Sequence, residues 1–179
     1  MCYSVAHKLC PRQIRICESW GMKIKDYLVK LEDSLMVGSG RWLADFNESF
    51  WEYPLGDFVF DMFVTAKVRP KGFFLSRVAS WLLMPNYYVV CLAYSKDHEL
   101  RQLHDLLTTI SRFLKDEEYA WAWLVIPHEG SFSSKARLMV ERNDSREIGI
   151  ALVDLSSQEI VHASSYWGQR MPRFIRCFK

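Results

Sequence analysis

The chain has 179 residues, half of them hydrophobic and a quarter charged, with a formal net charge of +2. That balance excludes a disordered chain and leaves room for one domain with a sizeable core. It also means that nucleic-acid binding requires clustered basic residues, because the total charge supplies no general attraction.

Residues 1–22 read as an N-terminal extension. Cys10-Pro11 interrupts any regular element, and Trp20-Gly21 closes the segment. His7, Lys8, Arg12 and Arg15 stand where a signal peptide needs an apolar run. Met22-Lys23 resembles a fresh start, so these residues are either an addition or a short helix docking through Ile14, Ile16 and Trp20. Residues 23–37 then form a helix, with Ile24, Leu28, Leu31 and Leu35 on one apolar face and Gly38-Ser39-Gly40 as its stop. Residues 41–56 are aromatic and irregular, ending in the turn signal Pro54-Leu55-Gly56.

Residues 57–69 are the clearest strand. Strict alternation places Phe58, Phe60, Met62, Val64, Ala66 and Val68 on one face, and Val59, Asp61, Phe63, Thr65 and Lys67 on the other. Residues 73–84 fit a helix better than a strand. The stretch from Tyr87 to Lys96 is a buried strand running into a helix over 97–115, whose stripe is Leu100, Leu103, Leu107, Ile110 and Leu114, with Ser95 or Asp97 as its cap. Strands at 119–126 and 147–154, a shorter helix at 133–143 and a final strand at 159–162 complete a domain over 23–165. Apolar strands alternating with amphipathic helices predict an α/β fold, a mixed central sheet flanked by helices on both faces.

Three places in that order resemble the restriction-endonuclease-like, or PD-(D/E)XK, superfamily, in character the Holliday-junction-resolvase and Mrr-like nucleases. Phe60-Asp61-Met62-Phe63-Val64-Thr65 is similar to the strand bearing the family's metal-binding Asp. Val89-Val90-Cys91-Leu92-Ala93 with the following helix is similar to the unit bearing the ExK motif. Tyr119 to Leu155, with Gly130-Ser131-Phe132 inside it, is similar to the later strand, turn, helix and closing strand. The resemblance implies phosphodiester hydrolysis with magnesium, held by two carboxylates and assisted by a lysine. Glu and Lys two apart on a strand share a face, which is why the motif has that spacing.

This chain departs from the motif. Asp61 matches the first carboxylate, but Cys91 stands for the Glu and Ala93 for the Lys. A thiol is a soft ligand and a methyl group donates nothing. A degenerate site is therefore expected, with no cofactor, and magnesium only if a migrated site of Asp61, Glu32 and Lys67 serves. The plain alternative for these three is solvated surface charge.

Elsewhere, His98 and His104 are six apart and share no helical face. His128-Glu129 sits in a turn after a strand, where α/β proteins often place functional groups. Ser131 has no nucleophile-elbow context, and no glycine-rich phosphate loop joins a strand to a helix. Residues 166–179 form a basic, aromatic C-terminal tail. Arg170, Arg173, Arg176 and Lys179 recur every third residue and would make a cationic stripe on a helix, beside Phe174 and Phe178.

The five cysteines, Cys2, Cys10, Cys17, Cys91 and Cys177, form neither a CxxC pair nor a zinc pattern, so free thiols in the cytoplasm are expected. Apolar runs are too short for a membrane partner. The readings that follow are a non-catalytic nuclease-fold protein binding nucleic acid, a protein partner or a second copy of itself; a magnesium-dependent nuclease with a migrated site; and a Rossmann-like ligand-binding or regulatory domain.

Overall fold

The computed structural model describes residues 22–68, 87–97 and 99–178. The extension before Met22, the expected helix at 73–84, His98 and Lys179 lie outside them. The chain runs α1 (Ile24–Met36), β1 (Asp45–Leu55), β2 (Phe58–Val68), β3 (Tyr87–Ala93), α2 (Leu103–Asp116), β4 (Tyr119–His128), α3 (Ser134–Glu141), β5 (Ile148–Asp154), β6 (Glu159–His162), α4 (Tyr166–Arg170) and α5 (Pro172–Ile175).

The six strands lie side by side in the order in which they occur. β1, β2 and β3 form an antiparallel meander, β3, β4 and β5 are parallel, and β6 returns antiparallel on β5. The result is an open mixed α/β sheet. The fully parallel sheet required by a Rossmann-like reading is not what these residues build.

Burial divides the core by sheet face. On one face Val89, Cys91 and Ala93 of β3, with Trp121, Trp123 and Val125 of β4, meet Tyr27, Leu28, Leu31 and Leu35 of α1. On the other, Val90, Leu92, Leu124, Ile126, Ile150 and Leu152 meet Leu103, Leu106, Ile110 and Leu114 of α2 and Ala136 and Val140 of α3. The central strands are apolar on both faces because helices cover both.

Four elements differ from the reading of the sequence. Residues 45–55 are not irregular but form β1, an edge strand whose mostly exposed residues show no clean alternation. β2 does not keep one apolar face: Phe58 and Phe60 pack on the α2 side, whereas Met62, Val64 and Ala66 pack on the α1 side. The switch falls at Glu52 and Asp61, between the paired positions Tyr53↔Phe60 and Trp51↔Met62. Glu52 has φ +52°, a left-handed conformation that is uncommon outside glycine. Helix α2 starts at Leu103, since Leu100 is also left-handed and Asp97 accepts the Gln102 N–H (2.8 Å), closing a turn ahead of the helix.

The C-terminal residues, lastly, are part of the packed body. Met171 and Ile175 are fully buried, and Phe174 nearly so. The Tyr27 hydroxyl donates to the Ile175 carbonyl (2.9 Å), and the Ser34 hydroxyl to that of Phe174 (3.0 Å). Trp167 stacks on Trp121, with centroids 4.1 Å apart. Gly149 permits this approach, because a β-carbon there would sit 2.8 Å from the Trp167 backbone.

Candidate functional site

In an open α/β sheet, ligands commonly bind beyond the carboxyl ends of the parallel strands. Here that end of the sheet gathers Ser95 after β3, His128 at the end of β4 with Glu129 just beyond it, and the N-terminus of α1. Antiparallel β2 brings Asp61 to the same end. The Asp61 carboxylate accepts the Ser95 N–H at 2.6 Å, so it is tied to the chain leaving β3. Glu129 accepts the N–H of Ile24 (3.1 Å), satisfying a free amide in the first turn of α1.

A cleft of about 750 Å³ opens between these parts. Ile24, Leu28, Val29 and Trp51 supply apolar walls, and Lys25, Glu52, Asp61 and Ser95 the polar groups. Glu52 was absent from the sequence-based candidates. The signal for it is the acidity of residues 45–61, which hold Asp45, Glu48, Glu52, Asp57 and Asp61 and no Lys or Arg. Recognising it also required β1 to be seen as the partner of β2.

The migrated trio does not come together. Lys67 is six residues along β2 from Asp61, about 20 Å on an extended chain, and pairs in register with Asp45 and Tyr88. Glu32 lies beyond Leu28 and Val29 on α1 and does not line the cleft.

Cys91 and Ala93 are wholly buried against α1. Burial pushes the Cys91 thiol up to about 12, with a smaller contribution from Cys177, so it remains protonated. The positions that the motif gives to Glu and Lys thus hold a neutral thiol and a methyl group under a helix. They do not fit a magnesium ion, which takes oxygen donors. Among the described residues, no three His, Cys, Asp or Glu side chains group closely enough to hold a metal ion.

His128 Nδ1 lies 3.0 Å from the Gly130 N–H and 2.8 Å from its carbonyl, so this histidine is engaged in its own turn. At the end of β5, Asp154 is 2% exposed and its Oδ1 accepts from Ser156 N, Ser156 Oγ and Ser157 N at 2.7–2.9 Å. Burial works to raise this carboxyl, but those hydrogen bonds prevail and hold it at about 2.

Compared with known proteins, the chain matches no family model, and neither the curated proteins nor the solved structures give a significant match. No helix among the described residues is long and apolar enough to cross a membrane.

At the C-terminus, α4 and α5 are almost continuous, joined through Met171, whose backbone is also helical. Their inner side buries Met171, Phe174 and Ile175, which leaves Arg170 and Arg173 exposed, three residues apart on the outer side. Arg176 is also exposed. The Arg170 guanidinium lies 3.6 Å from the ring centroid of Tyr166, itself 61% exposed. Guanidinium and ring form a flat cationic platform at the surface.

Proposed function

We propose that this chain is a nuclease-fold protein whose ExK site is degenerate, and that it binds nucleic acid without cutting it. The observation that carries the reading is the burial of Cys91 and Ala93 beneath α1, beside a strand that does carry the expected Asp61. Hydrolysis by that route needs a second carboxylate and a lysine at those positions, and a charge there would lie in the core.

Binding is assigned to Arg170, Arg173 and Arg176 with the Tyr166 ring. Cations that neutralise phosphates give affinity without sequence preference, and an exposed aromatic adds stacking on a base. The test is binding and cleavage of labelled single-stranded, double-stranded and branched DNA and RNA, with magnesium or manganese, across a salt series. Binding that weakens with salt, without cleavage, supports the reading. Absence of binding at low salt refutes it.

One observation favours a second reading. Glu52 and Asp61 line one cleft with Lys25, which are the residue types of a carboxylate-lysine nuclease site supplied from different elements. In that case Asp61 and Glu52 would hold the cation. Metal-dependent cleavage abolished by both Glu52→Gln and Asp61→Asn would establish this reading over the first.

A further inference from the structure

β1 is the edge of the sheet, and among the described residues no strand pairs with its outer side. A strand edge of this kind presents unpaired N–H and C=O groups to any extended chain that reaches it. Its regular part is Glu48–Trp51, because the left-handed Glu52 breaks the alternation of the strand. The register with β2 shifts between Phe46 and Glu48, and Pro54 has no N–H to offer.

Two side-chain features lie along this side of the sheet. Phe50 and Trp51 are 43% and 41% exposed, on opposite faces of the strand: Phe50 contacts Phe63 of the α2-side core, whereas Trp51 lines the α1 cleft with Ile24, Leu28 and Val29. A chain laid along the edge would therefore direct alternate side chains toward an apolar wall on either face. The second feature is charge. Glu48 and Glu52 are exposed, Asp57 lies in the turn to β2, and no Lys or Arg occurs from residue 45 to 61.

We propose that the outer edge of β1 accepts a basic, extended peptide segment of a partner protein by strand addition. Backbone hydrogen bonds would hold the segment, and the exposed aromatics and the two glutamates would favour one that carries both apolar residues and Lys or Arg. A second copy of the chain pairing through the same edge is disfavoured. Two such edges side by side would bring Glu48 and Glu52 of both copies together, and like charges across a strand pair are destabilising.

The experiment uses the full chain, isotope-labelled, and capped synthetic peptides of alternating Lys and Val, of alternating Glu and Val, and of Lys and Val with alternate N-methyl amides. Amide and Trp51 indole shifts are followed by NMR in a titration. The expected result is saturable shifts confined to β1 and the α1 cleft with the Lys-Val peptide. Affinity should fall at least tenfold with added salt or in Glu48→Lys/Glu52→Lys, and binding should be absent with the other two peptides. The N-methyl peptide tests the backbone bonds without altering the protein, so the result does not depend on that variant folding. The proposal is overturned if no peptide moves β1, or if the Glu-Val or N-methyl peptide binds as well. It also fails if those β1 amides that point away from β2 are protected from exchange in the dilute protein alone, which would give the edge to another segment of the same chain. Protection that grows with protein concentration would give it to a second copy.

Discussion

Asp61 reaches across from β2 and accepts the backbone N–H of Ser95 at 2.6 Å, just beyond the end of β3. The residue that the resemblance sets in the place of a metal-binding carboxylate thus ties β2 to the chain leaving β3, at the carboxyl end of the parallel strands. A hydrogen bond to a charged acceptor contributes about 1.5–3 kcal/mol. Asp61→Ala should destabilise the fold by roughly 1–3 kcal/mol in urea unfolding and leave nucleic-acid affinity within twofold. Loss of binding with no loss of stability would instead place Asp61 in the binding surface.

Cys91 should be inert. Its thiol is wholly buried and pushed up to about 12, whereas alkylation requires thiolate. In the folded protein at pH 8, iodoacetamide should leave Cys91 unmodified by peptide mass mapping, and urea should release it. Introducing the motif's Glu would fail for the same physical reason. Cys91→Glu puts a carboxylate against Tyr27 and Leu31 in the core, and a loss of several kcal/mol is expected. A stable Cys91→Glu protein would show that α1 can move off the strand, and would reopen the catalytic reading.

The central strands and long helices were legible in the sequence because their burial is simple. β3, β4 and β5 are apolar on both faces, and α1 and α2 carry one clear stripe each. What was hidden depends on partners. β1 reads as irregular since an edge strand with Glu48, Ser49, Glu52 and Pro54 has little apolar pattern to show. The face switch in β2 leaves no trace in its hydrophobic residues, because Phe60 and Met62 are apolar whichever side they meet. Glu52 could not be paired with Asp61 until β1 was known to lie beside β2. The distance from Lys67 to Asp61, by contrast, is legible without any partner, since six residues along one strand span about 20 Å whatever face they share.

The basic C-terminal face and its apolar side should separate by mutation. Arg170→Gln, Arg173→Gln and Arg176→Gln together should weaken nucleic-acid binding at low salt and flatten the salt dependence by about 0.7–0.9 per lost phosphate contact, with little change in stability. Phe174→Ala removes a ring packed on Trp123, at a centroid distance of 5.5 Å, and should cost about 3–5 kcal/mol. Equal binding by the triple variant and the parent, in a filter or anisotropy assay, would remove this surface from the proposal.

Asp154 gives the fold an acid-sensitive point. Its carboxyl is held at about 2 by the Ser156 and Ser157 hydrogen bonds against its burial, below the ordinary value near 4. A carboxyl depressed in the folded state contributes stability that is complete above the unfolded value, and that is lost as pH falls through the folded one. The contribution, of order 1–3 kcal/mol, should therefore be present at pH 5 and above and disappear between about pH 4 and 2. Asp154→Asn should remove that part of the acid dependence while lowering stability at pH 7 by a similar amount. Denaturant midpoints of parent and variant, measured from pH 7 down to 2, should converge at the acid end. Parallel curves would mean that the serine bonds hold the protonated carboxyl as well as the charged one.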